Sequence, residues 1–379
     1  MVEHSAGDDS THSGEVHPAA TADLALPRSL GDYELAREIG RGGMGVVFEA
    51  RQVSLNRVVA LKVLLHSVVP DAVAISRFER EARAAARLHH TNIVPVYAIG
   101  EASGHHYYAM EFLDGEPLSQ VLARMRKWAD DAPRSDTSTS GRGWFDSVAR
   151  QIAAVADALQ YAHDQGVVHR DVKPSNLLLK KEGFLCLTDF GLARVGAEPA
   201  LTLSGALLGT PAYMSPEQVA AGRASVDHRT DIYSLGAVLY EMLTFRRPFD
   251  GATREEVMGA ILAKEPRAPR RVNRRLPVDL ETICLKAMEK DPARRYRSAA
   301  EMATDLRRYL ARELIGARRA SIPRRMAKAF RRHPLASTVA VATVLLAGAV
   351  AVAWFYKRGQ ELAATRMAVS QATLNLREG

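Results

Sequence analysis

The chain has 379 residues, 47% of them hydrophobic and 25% charged, with a net charge of +8, enough for a two-lobed core plus further segments. Its densest basic run, Arg318 to Arg332, directly precedes an apolar stretch, which argues against a nucleic-acid groove and for an anionic membrane surface. Only two cysteines occur, Cys186 and Cys284, without metal-ligand spacing; this excludes a disulfide framework and points to a reducing compartment.

Residues 1–32 read as a disordered tail. They are polar, acidic and histidine-containing, with no apolar signal-peptide core. From Tyr33 the pattern becomes alternating apolar residues around a glycine cluster, then a β-branched run at Val58–Val63, which predicts antiparallel strands of a small sheet. Asp71 to Leu88 predicts one helix, and Ile93–Gly100 with His106–Phe112 another strand pair. Beyond Asp114–Gly115 the chain reads as mainly helical, apart from short apolar runs at Leu177–Leu179 and Phe184–Thr188. Residues 129–143 are small and polar and read as a flexible insertion between two helices.

Leu335 to Tyr356 carries no charged residue and is long enough, at about 1.5 Å per residue, to span a hydrocarbon core of roughly 30 Å. Trp354 and Tyr356 stand where an interfacial aromatic belt would lie. A buried core helix is the rival reading, but a soluble helix would show a polar face. The denser basic flank on the N-terminal side places residues 1–334 in the cytoplasm. Residues 357–379 are then a short external stub or the start of a truncated sensor region.

The chemistry-bearing segments begin at Gly40-Arg41-Gly42-Gly43-Met44-Gly45-Val46-Val47, which fits G-x-G-x-x-G-x-V. Glycines let backbone fold tightly over phosphates. The pattern alone is weak, but a strand ending Val59-Ala60-Leu61-Lys62 follows it, not the helix of a dinucleotide site, and Lys62 can then meet the α/β-phosphates. Glu79 and Glu81 are candidate partners for that lysine and point to different helix faces. Glu81 shares the alanine-rich packed face and is favoured; Glu79 reads as a solvated charge. His169-Arg170-Asp171-Val172-Lys173-Pro174-Ser175-Asn176 matches H-R-D-x-x-x-x-N, with Asp171 to orient a hydroxyl and Asn176 for a metal ion. Asp189-Phe190-Gly191 follows, its aspartate a second metal ligand.

Together these segments resemble the eukaryotic-like serine/threonine protein kinases found widely in bacteria, of single-pass transmembrane type, over roughly residues 33–310. Further matches are Gly209 to Glu217, with S-P-E in place of the family's A-P-E, the helix start Asp231-Ile232-Tyr233-Ser234-Leu235-Gly236, and Lys290 to Tyr296. The resemblance implies an α+β bilobal kinase fold: a β-rich small lobe, a helical large lobe and ATP in the cleft, here followed by a basic juxtamembrane segment (311–334) and one transmembrane helix. It implies nucleotide contacts at Ile39, along Gly40 to Val47 and at Ala60. Met110 would be the gatekeeper and Glu111–Leu113 the adenine-contacting hinge. Asp171 and Lys173 would be catalytic, with Mg²⁺ (Mn²⁺ as an alternative) on Asn176 and Asp189. Glu217 would brace Arg295, Asp231 would support the catalytic loop, and Thr210 would bond near Asp171 and Lys173. His90-Thr91-Asn92 replaces the usual H-P-N and is expected to loosen its turn slightly, whereas Ser215 in S-P-E puts nothing catalytic in doubt.

Lys173 and Thr210 resemble the Ser/Thr branch, so protein Ser/Thr hydroxyls are the expected substrates. Thr202 and Ser204 stand where family members carry activating phosphates, with Arg170 to receive them. A homodimer would serve phosphorylation in trans. Two other readings are a nucleotide-binding pseudokinase scaffold, disfavoured because no essential position is missing, and a small-molecule phosphotransferase, disfavoured by the Gly209–Glu217 segment.

Overall fold

The computed structural model describes residues 27–42, 45–64, 72–131, 141–190, 211–220 and 226–317, together with Leu346 and Trp354. Residues up to Ala317 form one compact unit, and those from Arg318 a second.

The first unit begins with an antiparallel sheet of β1 (Ser29–Leu30), β2 (Tyr33–Arg41), β3 (Gly45–Gln52), β4 (Arg57–Leu64), β5 (Val96–Ala102) and β6 (His105–Glu111), ordered β1-β2-β3-β4-β6-β5. Side chains alternate between the faces of a strand, and β4 shows the consequence. Val59, Leu61 and Val63 join Leu30, Tyr33, Tyr107 and Ala109 in one cluster. Ala60 and Leu64 join Phe78, Ala82, Tyr108, Met110 and Cys186 in another. Lys62 shares the parity of Ala60 and Leu64, so it falls on the face covered by α1 (Ala72–Ala85), the helix that supplies Phe78 and Ala82.

The helix predicted over 71–88 ends at Ala85 and passes into a turn. The strand expected from Ile93 starts at Val96; Ile93 instead makes an isolated parallel bridge to Leu187. The loosening expected at His90-Thr91-Asn92 is not seen. His90 accepts from the Ile93 N–H (2.9 Å) through its carbonyl and from the Asn92 N–H (3.0 Å) through Nδ1, and Asn92 Nδ2 donates to the Leu185 carbonyl at 2.7 Å. Side-chain bonds supply the closure that a proline ring would otherwise favour.

The large lobe holds a small sheet, β7 (Gly115–Pro117), β8 (Leu177–Lys180) and β9 (Leu185–Leu187), which accounts for the two short apolar runs. Around it stand α2 (Leu118–Asp131), α3 (Arg142–Asp164), α4 (Pro216–Val219), α5 (Arg229–Thr244), α6 (Arg254–Ala263), α7 (Pro269–Val272), α8 (Val278–Ala287) and α9 (Ala299–Ala311). The predicted insertion is trimmed at both ends, because α2 runs to Asp131 and α3 begins at Arg142. Helix α5 is buried all round from Thr230 to Thr244, its polar residues Asp231, Ser234 and Glu241 each hydrogen-bonded within the core. The chain stays packed past α9: the buried Asp305 carboxylate accepts from the Tyr296 hydroxyl (3.0 Å) and the backbone N–H groups of Gly316 (2.6 Å) and Ala317 (2.9 Å).

Among the described residues no helix is long and apolar enough to cross a membrane. The expected span 335–356 lies outside them except for Leu346 and Trp354, both helical.

Candidate active site

The glycine turn closes with Gly42 N–H donating to the Gly45 carbonyl at 2.8 Å. A Cβ on Gly45 would sit 2.3 Å from the Val63 carbonyl oxygen, so glycine is required there for β3 to lie against β4. At Gly40 and Gly42 the nearest atoms to an added Cβ are 4.0 and 3.9 Å away, which leaves that space to a phosphate. Gly43 and Met44 lie outside the described residues. Val47 packs with the cleft-side cluster beside Ala60 and Leu113. Val46 was expected among the nucleotide contacts, but it pairs with Val63 and is fully buried, so strand parity turns its side chain away from the cleft. Ile39 remains exposed at the rim, and the Arg41 guanidinium is paired with Glu38 at 2.6 Å.

At the back of the cleft, Met110 is buried and its sulfur accepts from the Thr188 hydroxyl at 3.9 Å. The Glu111 N–H is taken by the Pro95 carbonyl at 3.0 Å, and its carboxylate lies 3.7 Å from Lys180.

Three elements converge on Lys62. Its Nζ lies 2.6 Å from Asp189 Oδ1 and 3.4 Å from Glu81 Oε1, so Glu81 is the partner on α1. Glu79 is engaged elsewhere, in an exposed surface pair 2.8 Å from Arg83 one turn along. Burial pushes the Glu81 carboxyl up to about 7, against the opposing pull of Lys62. Burial, the largest single effect, works the other way on the Lys62 ammonium, yet Asp189, Tyr108 and Glu81 together outweigh it and hold the group well above its usual value. Asp189 is itself buried, which alone would raise it, but Lys62 keeps it below the carboxylate range. The lysine thus spends its charge mainly on Asp189 and loosely on Glu81.

The catalytic loop is held from below. Both oxygens of the fully buried Asp231 accept backbone N–H groups, from His169 at 2.8 Å and Arg170 at 2.7 Å, and His163 Nε2 lies 2.8 Å from Oδ2. These bonds hold Arg170 at φ 64°, a conformation that costs a non-glycine residue about 1–2 kcal/mol. Asp189 lies at φ 58°. Asp171 Oδ2 accepts from Lys173 Nζ at 2.6 Å and from Asn176 Nδ2 at 3.2 Å. Asn176 Nδ2 also reaches the Asp171 carbonyl at 3.0 Å, which commits the amide nitrogen, while its oxygen takes only a long bond (3.4 Å) from the Ser175 hydroxyl and is the acceptor available to a cation. That oxygen and the Asp189 carboxylate are hard ligands that suit Mg²⁺ or Mn²⁺. Among the described residues no group of three or more acidic, histidine or cysteine ligands closes round a point. A cation here would take its remaining ligands from phosphate and water, as Mg²⁺ commonly does.

Arg295 holds Glu217 bidentately, as the resemblance implied, at 2.6 and 2.7 Å. Thr202, Ser204, Thr210 and Gly191 lie outside the described residues. Sequence reasoning passed over the capping role of Ser215 at α4: its hydroxyl accepts from Gln218 N–H and meets Thr230 Oγ1 at 2.7 Å. The S-x-x-Q spacing was the available signal. It also missed Tyr108, whose hydroxyl donates to Asp189 Oδ1 at 3.0 Å, and Glu241, which joins Arg126 (2.7 Å) to Tyr213. No local spacing announces either.

The protein kinase domain family matches residues 33–306. The chain is 39% identical over 285 residues to the serine/threonine-protein kinase pkn3 of Myxococcus xanthus, covering 72% of this chain and 49% of that one. It is 38% identical over 289 residues to PknB of Mycobacterium leprae (75% and 44% covered) and 35% identical over 280 residues to PrkC of Bacillus subtilis (74% and 41% covered). The chain therefore spans half or less of the length of these curated relatives. The crystal structure of the Mycobacterium tuberculosis PknI kinase domain superposes with a TM-score of 0.58 at 29% identity, over 76% of this chain and 99% of that one.

Proposed function

Since this chain belongs to the protein kinase domain family, we propose that it transfers the γ-phosphoryl group of ATP to serine and threonine hydroxyls of proteins. The observation that carries the reading is Asp171 with Lys173 and Asn176 both donating to one of its oxygens. That arrangement fixes a carboxylate as proton acceptor beside a cation for the γ-phosphate.

In the reaction the substrate hydroxyl oxygen bonds to the γ-phosphorus as the bond to ADP breaks, and the hydroxyl proton passes to Asp171. Lys173 neutralises γ-phosphate charge. Lys62, anchored by Glu81, holds the α/β-phosphates, and the Gly40–Val47 turn covers them. A divalent cation on Asn176 and Asp189 would supply charge neutralisation between the β- and γ-phosphates. Incubation of the chain with labelled MgATP, followed by phosphosite mapping, tests the reading; label on no serine or threonine, with nucleotide still bound, would instead indicate the pseudokinase scaffold.

We further infer control by phosphorylation of Thr202 or Ser204. Arg170 supports this: its Nε is buried and meets no acceptor among the described residues, and a phosphate would satisfy it. Phosphorylation in trans calls for a second copy of the chain, and membrane tethering would raise its local concentration. The uncharged 335–356 span and the basic residues before it support a single-pass anchor with the kinase domain cytoplasmic. Release of the chain by alkaline carbonate would overturn the anchor.

A further inference from the structure

The cleft-facing side of β6 presents Tyr108 and Met110, because Tyr107 and Ala109 take the other face. Tyr108 stands directly opposite Lys62 in the β4–β6 pair. Its ring lies 5.1 Å from Phe78 of α1, centroid to centroid, and only 2% of the residue is exposed. Packing alone would be served by any large apolar side chain here. The hydroxyl does something an apolar residue could not: it donates at 3.0 Å to Asp189 Oδ1, the same oxygen that takes Lys62 Nζ at 2.6 Å.

We propose that Tyr108 is a positioning residue for the metal-binding carboxylate, holding Asp189 by Oδ1 so that Oδ2 is left to a divalent cation. The inference rests on the kinase reading above. Among the described residues no donor reaches Oδ2. When Lys62 turns to the phosphates of a bound nucleotide, Oδ1 loses its strongest partner. The Tyr108 hydroxyl then keeps the carboxylate from rotating. The Phe78 contact sets the ring on the helix that carries Glu81, so displacement of α1 would disturb the metal-binding aspartate as well as the lysine.

The test compares the full chain with Tyr108→Phe, which keeps the ring and removes the donor. Mn²⁺ serves as the probe, its binding followed by electron paramagnetic resonance with a non-hydrolysable ATP analogue present; affinity for the analogue in EDTA is measured separately. Loss of one such hydrogen bond should weaken Mn²⁺ binding about three- to tenfold while leaving metal-free nucleotide affinity within about twofold. Mn²⁺ affinity within twofold of wild type would overturn the proposal and leave the kinase reading intact. A wild-type chain that binds neither nucleotide nor Mn²⁺ overturns both. Should Tyr108→Phe not fold, Phe78→Leu replaces it, keeping the hydroxyl but releasing the ring: weaker Mn²⁺ binding upholds the assignment, and unchanged binding overturns it.

Discussion

Arg295 grips Glu217 with both arms of its guanidinium, at 2.6 and 2.7 Å, and both side chains are almost wholly withdrawn from solvent. The same guanidinium donates to the carbonyls of Glu289, Arg229 and Lys290. It therefore ties the segment just after α8 to the start of α5 and to α4. Removing one partner strands a buried charge, so Glu217→Ala should lower stability by about 3–5 kcal/mol in urea denaturation. A loss under about 1 kcal/mol would place the pair among exposed bridges.

Lys62→Met, Asp171→Asn and Asp189→Asn should each remove nearly all phosphoryl transfer while the domain keeps its cooperative melt. Loss of the proton acceptor alone is worth at least about 10²-fold. Retention of most turnover by Asp171→Asn, in a steady-state assay with a protein substrate, would refute the assigned role.

Glu81 makes stability depend on pH. Its carboxyl is raised from 4.5 to about 7, with burial the largest cause. The folded state thus binds the proton more tightly than the unfolded state does. This group's contribution is most favourable below about pH 4.5 and declines as pH rises towards 7. In nucleotide-free, metal-free buffer, the melting temperature of wild type relative to Glu81→Gln should fall between pH 5 and pH 8. A difference that stays flat or rises would mean that Glu81 is ionised throughout.

Thr202→Ala/Ser204→Ala should abolish the slow gain of activity that follows phosphatase treatment and renewed incubation with MgATP. Arg170→Gln should blunt the same gain, because the group proposed to receive the phosphate is lost. Recovery of full activity with the wild-type lag by the double variant would show that the switch lies elsewhere.

What could be read along the chain was whatever the chemistry confines to a short stretch. The glycine turn, Lys62 in its β-branched strand, and the Asp171 and Asp189 motifs are each local. Each combines a backbone need with a charged group at fixed spacing, and so each could be picked out from one sequence. Tertiary structure decided the rest. Val46 and Val47 are neighbours, yet only pairing within the sheet shows that one faces the cleft and the other the opposite side. Tyr108 and Asp189 are far apart in sequence and meet only because β6 lies beside β4 and the end of β9 passes beneath them. The resemblance implied that Asp231 supports the catalytic loop, but only the fold shows how: its buried carboxylate takes the His169 and Arg170 N–H groups. Side-chain partners across long separations are set by packing geometry, and packing is a property of the folded chain.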